Sequence, residues 1–215
     1  MNNYDILLTN DDGIQSPGLR AAVAAAMETG NVTVIAPSHQ QTATGRGLTG
    51  NREARLTPID HRINGVNISA YHCDCSPALI VKHSLTALFP DKKPDLLISG
   101  INYGENLGTN ITSSGTVGAA LEAASFGIPA IAISKQTDIE SHQKYTNQDW
   151  LVSSHFLKYF SDLLLTREMP HDVNVLKIDV PQDATTSTQW KITKLSNSTY
   201  YSKVIENPSI LSRIC

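Results

Sequence analysis

The chain has 215 residues, 40% of them hydrophobic and 17% charged, and a formal net charge of −3. That length suits one α/β domain with a sizeable core, and the ordinary composition excludes a disordered chain. The slight acidity, with no basic run, argues against a nucleic-acid duplex as partner, and no apolar stretch reaches transmembrane length.

Met1-Asn2-Asn3-Tyr4-Asp5 is polar and is no signal peptide, so the cytoplasm is the expected location. Tyr4 to Thr9 is short and apolar, as a strand buried on both faces should be. Ser16-Pro17 reads as an N-cap with proline in the first turn, and the alanine-rich run Gly18 to Thr29 as a helix ended by Gly30. Asn31 to Pro37 returns as a strand, which gives a β-α-β unit and hence a parallel pair with a right-handed crossover. Residues 43–74 change pattern. Arg55 to Ile59 and Val66 to Tyr71 read as short strands with Asn64-Gly65 a hairpin turn, forming a β-rich excursion beside the main sheet.

Ser76-Pro77 opens a further helix, Ala78 to Leu88. Asp95 to Ser99 is a core strand, Gly115 to Phe126 a small-residue helix closed by Gly127, and Ile128 to Ser134 another strand. Asp149 is placed to cap a helix running to about Thr166 with one broad apolar face. Asn174 to Val180 is a strand, and 190–215 is strand-like without identifiable chemistry. The expectation is one domain over 1–215: a Rossmann-like, mostly parallel sheet flanked by helices, with a possible C-terminal arm. Cys73, Cys75 and Cys215, an odd number, read as reduced thiols, and C-x-C without a second ligand pair is a poor zinc pattern.

In an open parallel sheet the strand ends converge on one edge, where ligands bind. Three polar stretches follow predicted strands here: Asn10-Asp11-Asp12-Gly13, Ser38-His39-Gln40-Gln41-Thr42 and Ser99-Gly100-Ile101-Asn102-Tyr103-Gly104. Neighbouring strand residues point to opposite faces, so Asp11 and Asp12 converge only if the chain turns at Gly13. Two close carboxylates repel unless a cation lies between them, and Asn102 and Thr42 add the neutral oxygens that a magnesium- or manganese-type site takes. The bland reading of the same loop is a polar turn with a helix-capping carboxylate. The start of the helix at Ser114-Gly115-Thr116 offers backbone N–H groups and hydroxyls to an anion, or is an ordinary capped helix. No P-loop and no G-x-G-x-x-G follows the first strand. His39 is the one histidine in a candidate site loop.

Taken in order, Leu8-Thr9-Asn10-Asp11-Asp12-Gly13-Ile14, Ser16-Pro17-Gly18, Ala36-Pro37, Ser99-Gly100-Ile101-Asn102-x-Gly104-x-Asn106-Leu107-Gly108 and Ser114-Gly115-Thr116-Val117-x-Ala119-Ala120 resemble the stationary-phase survival protein SurE family of metal-dependent nucleotidases. The resemblance covers most of residues 4 to 134. It implies one divalent cation per subunit, magnesium or manganese, on Asp11, Asp12, Asn102 and a loop serine that falls on Thr42 here. It implies removal of phosphate from nucleoside 5′- or 3′-monophosphates, and from short polyphosphate. It also implies a C-terminal hairpin arm used in a homodimer or homotetramer. The family's Gly-Thr-Pro-Ala-Asp appears as Cys75-Ser76-Pro77-Ala78-Leu79, and its aspartate after Asn-Leu-Gly as Asn110. The arm is expected to be shortened near Cys215.

On this reading Asp11 and Asp12 anchor the ion and one of them accepts a proton from water. Asn10 and Asn106 orient the phosphate, which Ser114, Gly115 and Thr116 cradle. Two alternatives stay open. A haloacid-dehalogenase-like phosphatase would use an aspartate as nucleophile, but wants D-x-D and an acidic partner for Lys135. A binding module would sense the nucleotide without turnover.

Overall fold

The computed structural model describes residues 4–142, 144–201, 208–210 and 212. Cys215, and the rest of the expected 190–215 arm beyond those positions, lie outside the described residues. The strands are β1 (Tyr4–Thr9), β2 (Gly30–Pro37), β3 (Thr57–Pro58), β4 (His61–Ile63), β5 (Val66–Cys73), β6 (Leu96–Tyr103), β7 (Ala130–Lys135) and β8 (Val175–Val180). The helices are α1 (Pro17–Ala26), α2 (Pro77–Ala87), α3 (Gly115–Ser125) and α4 (Leu151–Thr166). The sheet order is β3-β5-β2-β1-β6-β7-β8, parallel throughout except for β3 at the edge.

Period-two alternation in the central strands builds two cores. Ile6, Leu8, Leu96, Ile98, Ile131 and Ile133 face the layer of α1 and α4, whereas Leu7, Leu97, Ala130 and Ala132 face α2 and α3. Each central strand is therefore apolar on both sides, which is why it reads as a continuous hydrophobic run. The chain winds outward from β1 through β2 to β5, then crosses back to lay β6 on the other side of β1. That reversal opens a crevice beyond the ends of β1 and β6, the place where open α/β sheets bind ligands. No helix among the described residues is long and apolar enough to cross a membrane.

The excursion expected over 43–74 is only partly beside the sheet. Asn64 (φ 47°) and Gly65 (φ 83°) do make a hairpin turn, between β4 and β5. The second half of β5, however, joins the main sheet in parallel with β2, from Thr33↔Ser69 to Pro37↔Cys73. β6 also runs further than Ser99, reaching Tyr103 through an irregularity in its register with β7 between Ser99 and Asn102. The helix caps differ too. Ser76 caps α2 as expected, accepting from Leu79 N, but Ser16 makes no side-chain cap bond and α1 ends before Gly30, which starts β2. Asp149 Oδ1 accepts from Leu151 N one position before the N-cap of α4. The strand expected after Trp190 is absent among the described residues, where 190–199 is exposed and meets the fold through the Trp190 ring on Phe160 and a bridge from Gly108 to Thr199.

At the start of α1, Gly18 lies so close to β6 that a methyl group there would overlap the Ile101 carbonyl and crowd the Trp150 ring. Gly18→Ala should cost at least about 2 kcal/mol, as overpacking does, and lower the thermal midpoint by roughly 4 °C or more. A melting curve by circular dichroism checks this.

Candidate active site

Past the end of β1 the chain turns at once, and the turn is held by Asn10. Its Nδ2 donates to Gly13 O (3.0 Å) while its Oδ1 accepts from Gly13 N (3.2 Å). Gly13 sits at φ 103°, a conformation that side chains rarely adopt. The clamp bends residues 10–13 so that both Asp11 and Asp12 line one cavity of about 260 Å³, together with Thr42, Asn102, Asn106 and Ser114. Four groups expected to meet, from three loops up to ninety residues apart, thus border a single space. The role expected for Asn10 needs correcting. Its amide is spent on the turn, so it shapes the loop and does not face a phosphate.

Both carboxylates are buried, Asp11 with 8% and Asp12 with 3% of its surface exposed. Burial raises the Asp11 pKa, opposed by the Thr116 hydroxyl, which donates to Oδ1 at 2.6 Å, and by backbone N–H groups of Thr116 and Gly115. The N-terminus of α3 therefore receives the Asp11 carboxylate, and its dipole compensates that charge. This corrects the cradle expected at Ser114-Gly115-Thr116: Thr116 is fully buried and serves Asp11, and Gly115 packs against it. Ser114 alone of the three lines the cavity, its Oγ accepting from Val117 N at 3.2 Å.

Asp12 is pushed up to about 8, first by burial and then by the Asp11 charge. The Tyr103 N–H, 3.1 Å from Oδ2, and Gln40 Nε2, 3.4 Å from Oδ1, hold it down only partly. Asn102, at the end of β6, gives its Nδ2 to the carbonyls of Tyr103 (3.2 Å) and Gly104 (2.7 Å), which leaves its Oδ1 as the free atom. Asn106 is pinned by Asp179 Oδ1 to its backbone N–H (3.0 Å) and by Ser134 Oγ to its Nδ2 (2.8 Å). Thr42 is exposed at the rim.

Among the described residues no group of three or more His, Cys, Asp or Glu side chains is placed to hold a metal ion. The donor set here is different: two carboxylates that burial drives towards the protonated form, Asp12 further raised by the Asp11 charge, with an amide oxygen and a hydroxyl. Such all-oxygen sets fit a hard divalent cation, which would offset the cost of burying two adjacent charges.

A second wall escaped the sequence. Residues 142, 145 and 146 are tied to the acidic turn and its neighbours: Tyr145 donates to Asp12 O (2.7 Å), Gln40 to His142 O (2.7 Å) and Tyr103 OH to Thr146 O (2.9 Å). His142 and Tyr201 line the cavity with Glu105, Asn110 and Ser113. Cys73 and Cys75 are buried free thiols at the end of β5, remote from this lining. No motif announces these contacts, because they depend on rings and backbone carbonyls brought from afar.

A sequence model described as Survival protein SurE matches residues 6–202. The chain is 44% identical over 202 residues to a Thermococcus gammatolerans protein named 5′-nucleotidase SurE, covering 94% of this chain and 74% of that one. It is 43% identical over 196 residues to a Thermococcus kodakarensis protein of the same name, covering 91% and 73%. The solved structure of the SurE protein from Aquifex aeolicus superposes with a TM-score of 0.70 at 33% identity, over 83% of this chain and 66% of that one.

The raised acids set a sign for stability. Without divalent cation the native state keeps a proton on Asp12 up to about pH 8, whereas the unfolded chain loses it near the ordinary aspartate value of 3.8. The contribution of Asp12 to stability is then full below about pH 4 and is lost progressively as pH rises through about 8. Melting temperatures in chelator should fall over that window, Asp12→Asn should flatten the fall, and a divalent cation should restore stability at the alkaline end.

Proposed function

The chain belongs to the SurE family, and from that premise we propose that it hydrolyses nucleoside 5′-monophosphates to nucleoside and phosphate with a divalent cation. The observation that carries this reading is the pair of buried, mutually repelling carboxylates facing one cavity with Asn102, Thr42 and Ser114, at the crevice between β1 and β6. Asp11, Asp12, Asn102 Oδ1 and the Thr42 hydroxyl would hold the ion. When bound, it supplies positive charge to phosphoryl oxygens and makes water more acidic.

The chain's own groups divide the remaining work. Asp11 is fixed by Thr116 and the start of α3, so its charge is stationary. Asp12 Oδ1, touched only by the long contact from Gln40, is the oxygen placed to take the proton from attacking water. The Ser114 hydroxyl hydrogen remains for a phosphate oxygen, since its Oγ accepts from Val117 N. The Asn106 side chain, held by Ser134 at the same cavity, orients the ester. His142 also borders this cavity.

The family resemblance supports the finer readings: magnesium or manganese as the ion, one per subunit, in a cytoplasmic homodimer or homotetramer. Action on 3′-monophosphates and short polyphosphate rests on the same ground.

Phosphate release from AMP, measured with added magnesium or manganese and again with chelator, should appear only in the first case. Asp12→Asn should abolish it, with a loss exceeding the roughly 10–100-fold typical of outer partners, and without loss of fold. Full activity in that variant would overturn the assignment. Thr116→Val, which removes the donor to Asp11, should weaken cation affinity by about 10–100-fold, read by calorimetric titration.

A further inference from the structure

Residues 191–201 show no motif, yet they bring Tyr201 to the wall of the cavity. Tyr201 lines that cavity beside His142, and the two rings stand 5.7 Å apart at 88°, forming a corner. Tyr103 borders the same space, but its ring is packed between Tyr145 and Trp150. The Tyr201 ring in turn stands T-shaped against Tyr200, 4.8 Å away at 86°, and lines the cavity with His142.

Tyr201 is held firmly. Asn110 Oδ1 accepts the backbone N–H groups of both Tyr200 (2.8 Å) and Tyr201 (3.0 Å). The Tyr200 hydroxyl donates to Glu105 Oε1 at 2.8 Å, and the Tyr201 hydroxyl to Glu105 O at 3.2 Å. Glu105 and Asn110 belong to the stretch that follows β6, the strand carrying Asn102. The placement of Tyr201 is thus tied to the metal-ligand strand. With its hydroxyl spent inside the protein, the face of its ring is what it has left to offer. Nucleobases stack on such faces regardless of their hydrogen-bonding pattern. The cavity, about 260 Å³, approaches the range of pockets that hold small organic molecules, so it extends beyond a lone phosphate.

Resting on the nucleotidase reading, we propose that Tyr201 and His142 form the subsite for the nucleoside half of the substrate, with Tyr201 as a specificity-determining residue. The phosphoryl group lies at Asp11 and Asp12, and the sugar and base run along the ring corner.

The experiment compares AMP with glycerol phosphate, a monoester that has no ring. Tyr201→Ala should raise KM for AMP roughly ten-fold, the loss expected for one stacked base, and leave kcat unchanged. KM for glycerol phosphate should not move, and Tyr201→Phe should behave as the unaltered chain on both substrates. An equal loss on both substrates would make Tyr201 a structural residue and overturn the proposal, as would an unchanged KM for AMP. If the unaltered chain released phosphate from neither substrate, the phosphatase reading itself would fail. Titration calorimetry of AMP against the unaltered chain and Tyr201→Ala would then judge the subsite alone, and equal affinities would overturn it.

Discussion

Two negative charges on consecutive residues, both taken out of water, are the constraint around which the molecule is arranged. Burial drives both Asp11 and Asp12 towards the neutral form, and the Asp11 charge drives Asp12 further, so the surroundings must supply partners or tolerate a proton. Asp11 is answered by the Thr116 hydroxyl and the first turn of α3, and Asp12 by the Tyr103 N–H and, weakly, by Gln40. Even the backbone of Asp12 is gripped, by Tyr145. These partners come from α3, β6, the loop after β2 and the segment before α4. The acids therefore organise most of one edge of the sheet.

Much of this was legible in the sequence, for identifiable reasons. β7 announces itself because burial on both faces leaves a nearly uninterrupted apolar run, and β1, β2 and β8 because β-branched and leucine residues dominate them. α2 and α3 show through their caps, and the glycine after Asp12 betrays the turn. The acids follow β1 and Asn102 lies near the end of β6, and parallel topology carries such ends to one edge. What a string of letters conceals is the direction of a side chain. Asn10 and Thr116 both lie in the right loops, yet one is spent clamping the turn and the other donates to Asp11.

β5 was misplaced for a related reason. Its first half pairs with β4 across the Asn64-Gly65 turn, a strong local signal, whereas its second half joins β2 through contacts some forty residues distant. Local chemistry outweighed long-range pairing in the reading. The wall made by His142 and Tyr201 had no local signal at all. It arises from bonds to Gln40, Glu105 and Asn110, whose significance appears only once the sheet has assembled.

The reversal of strand order between β2 and β6 has a consequence for biosynthesis. A ribosome that has released residues 4–90 has delivered the acid pair, but neither Asn102 nor the hydroxyl at 116 has yet emerged. The amino-terminal half-sheet thus carries unrelieved charge at its open flank until β6 and α3 arrive to cover it. Assembly of the partners around the acid pair is therefore a late event, reached only once the sixth strand and α3 have emerged.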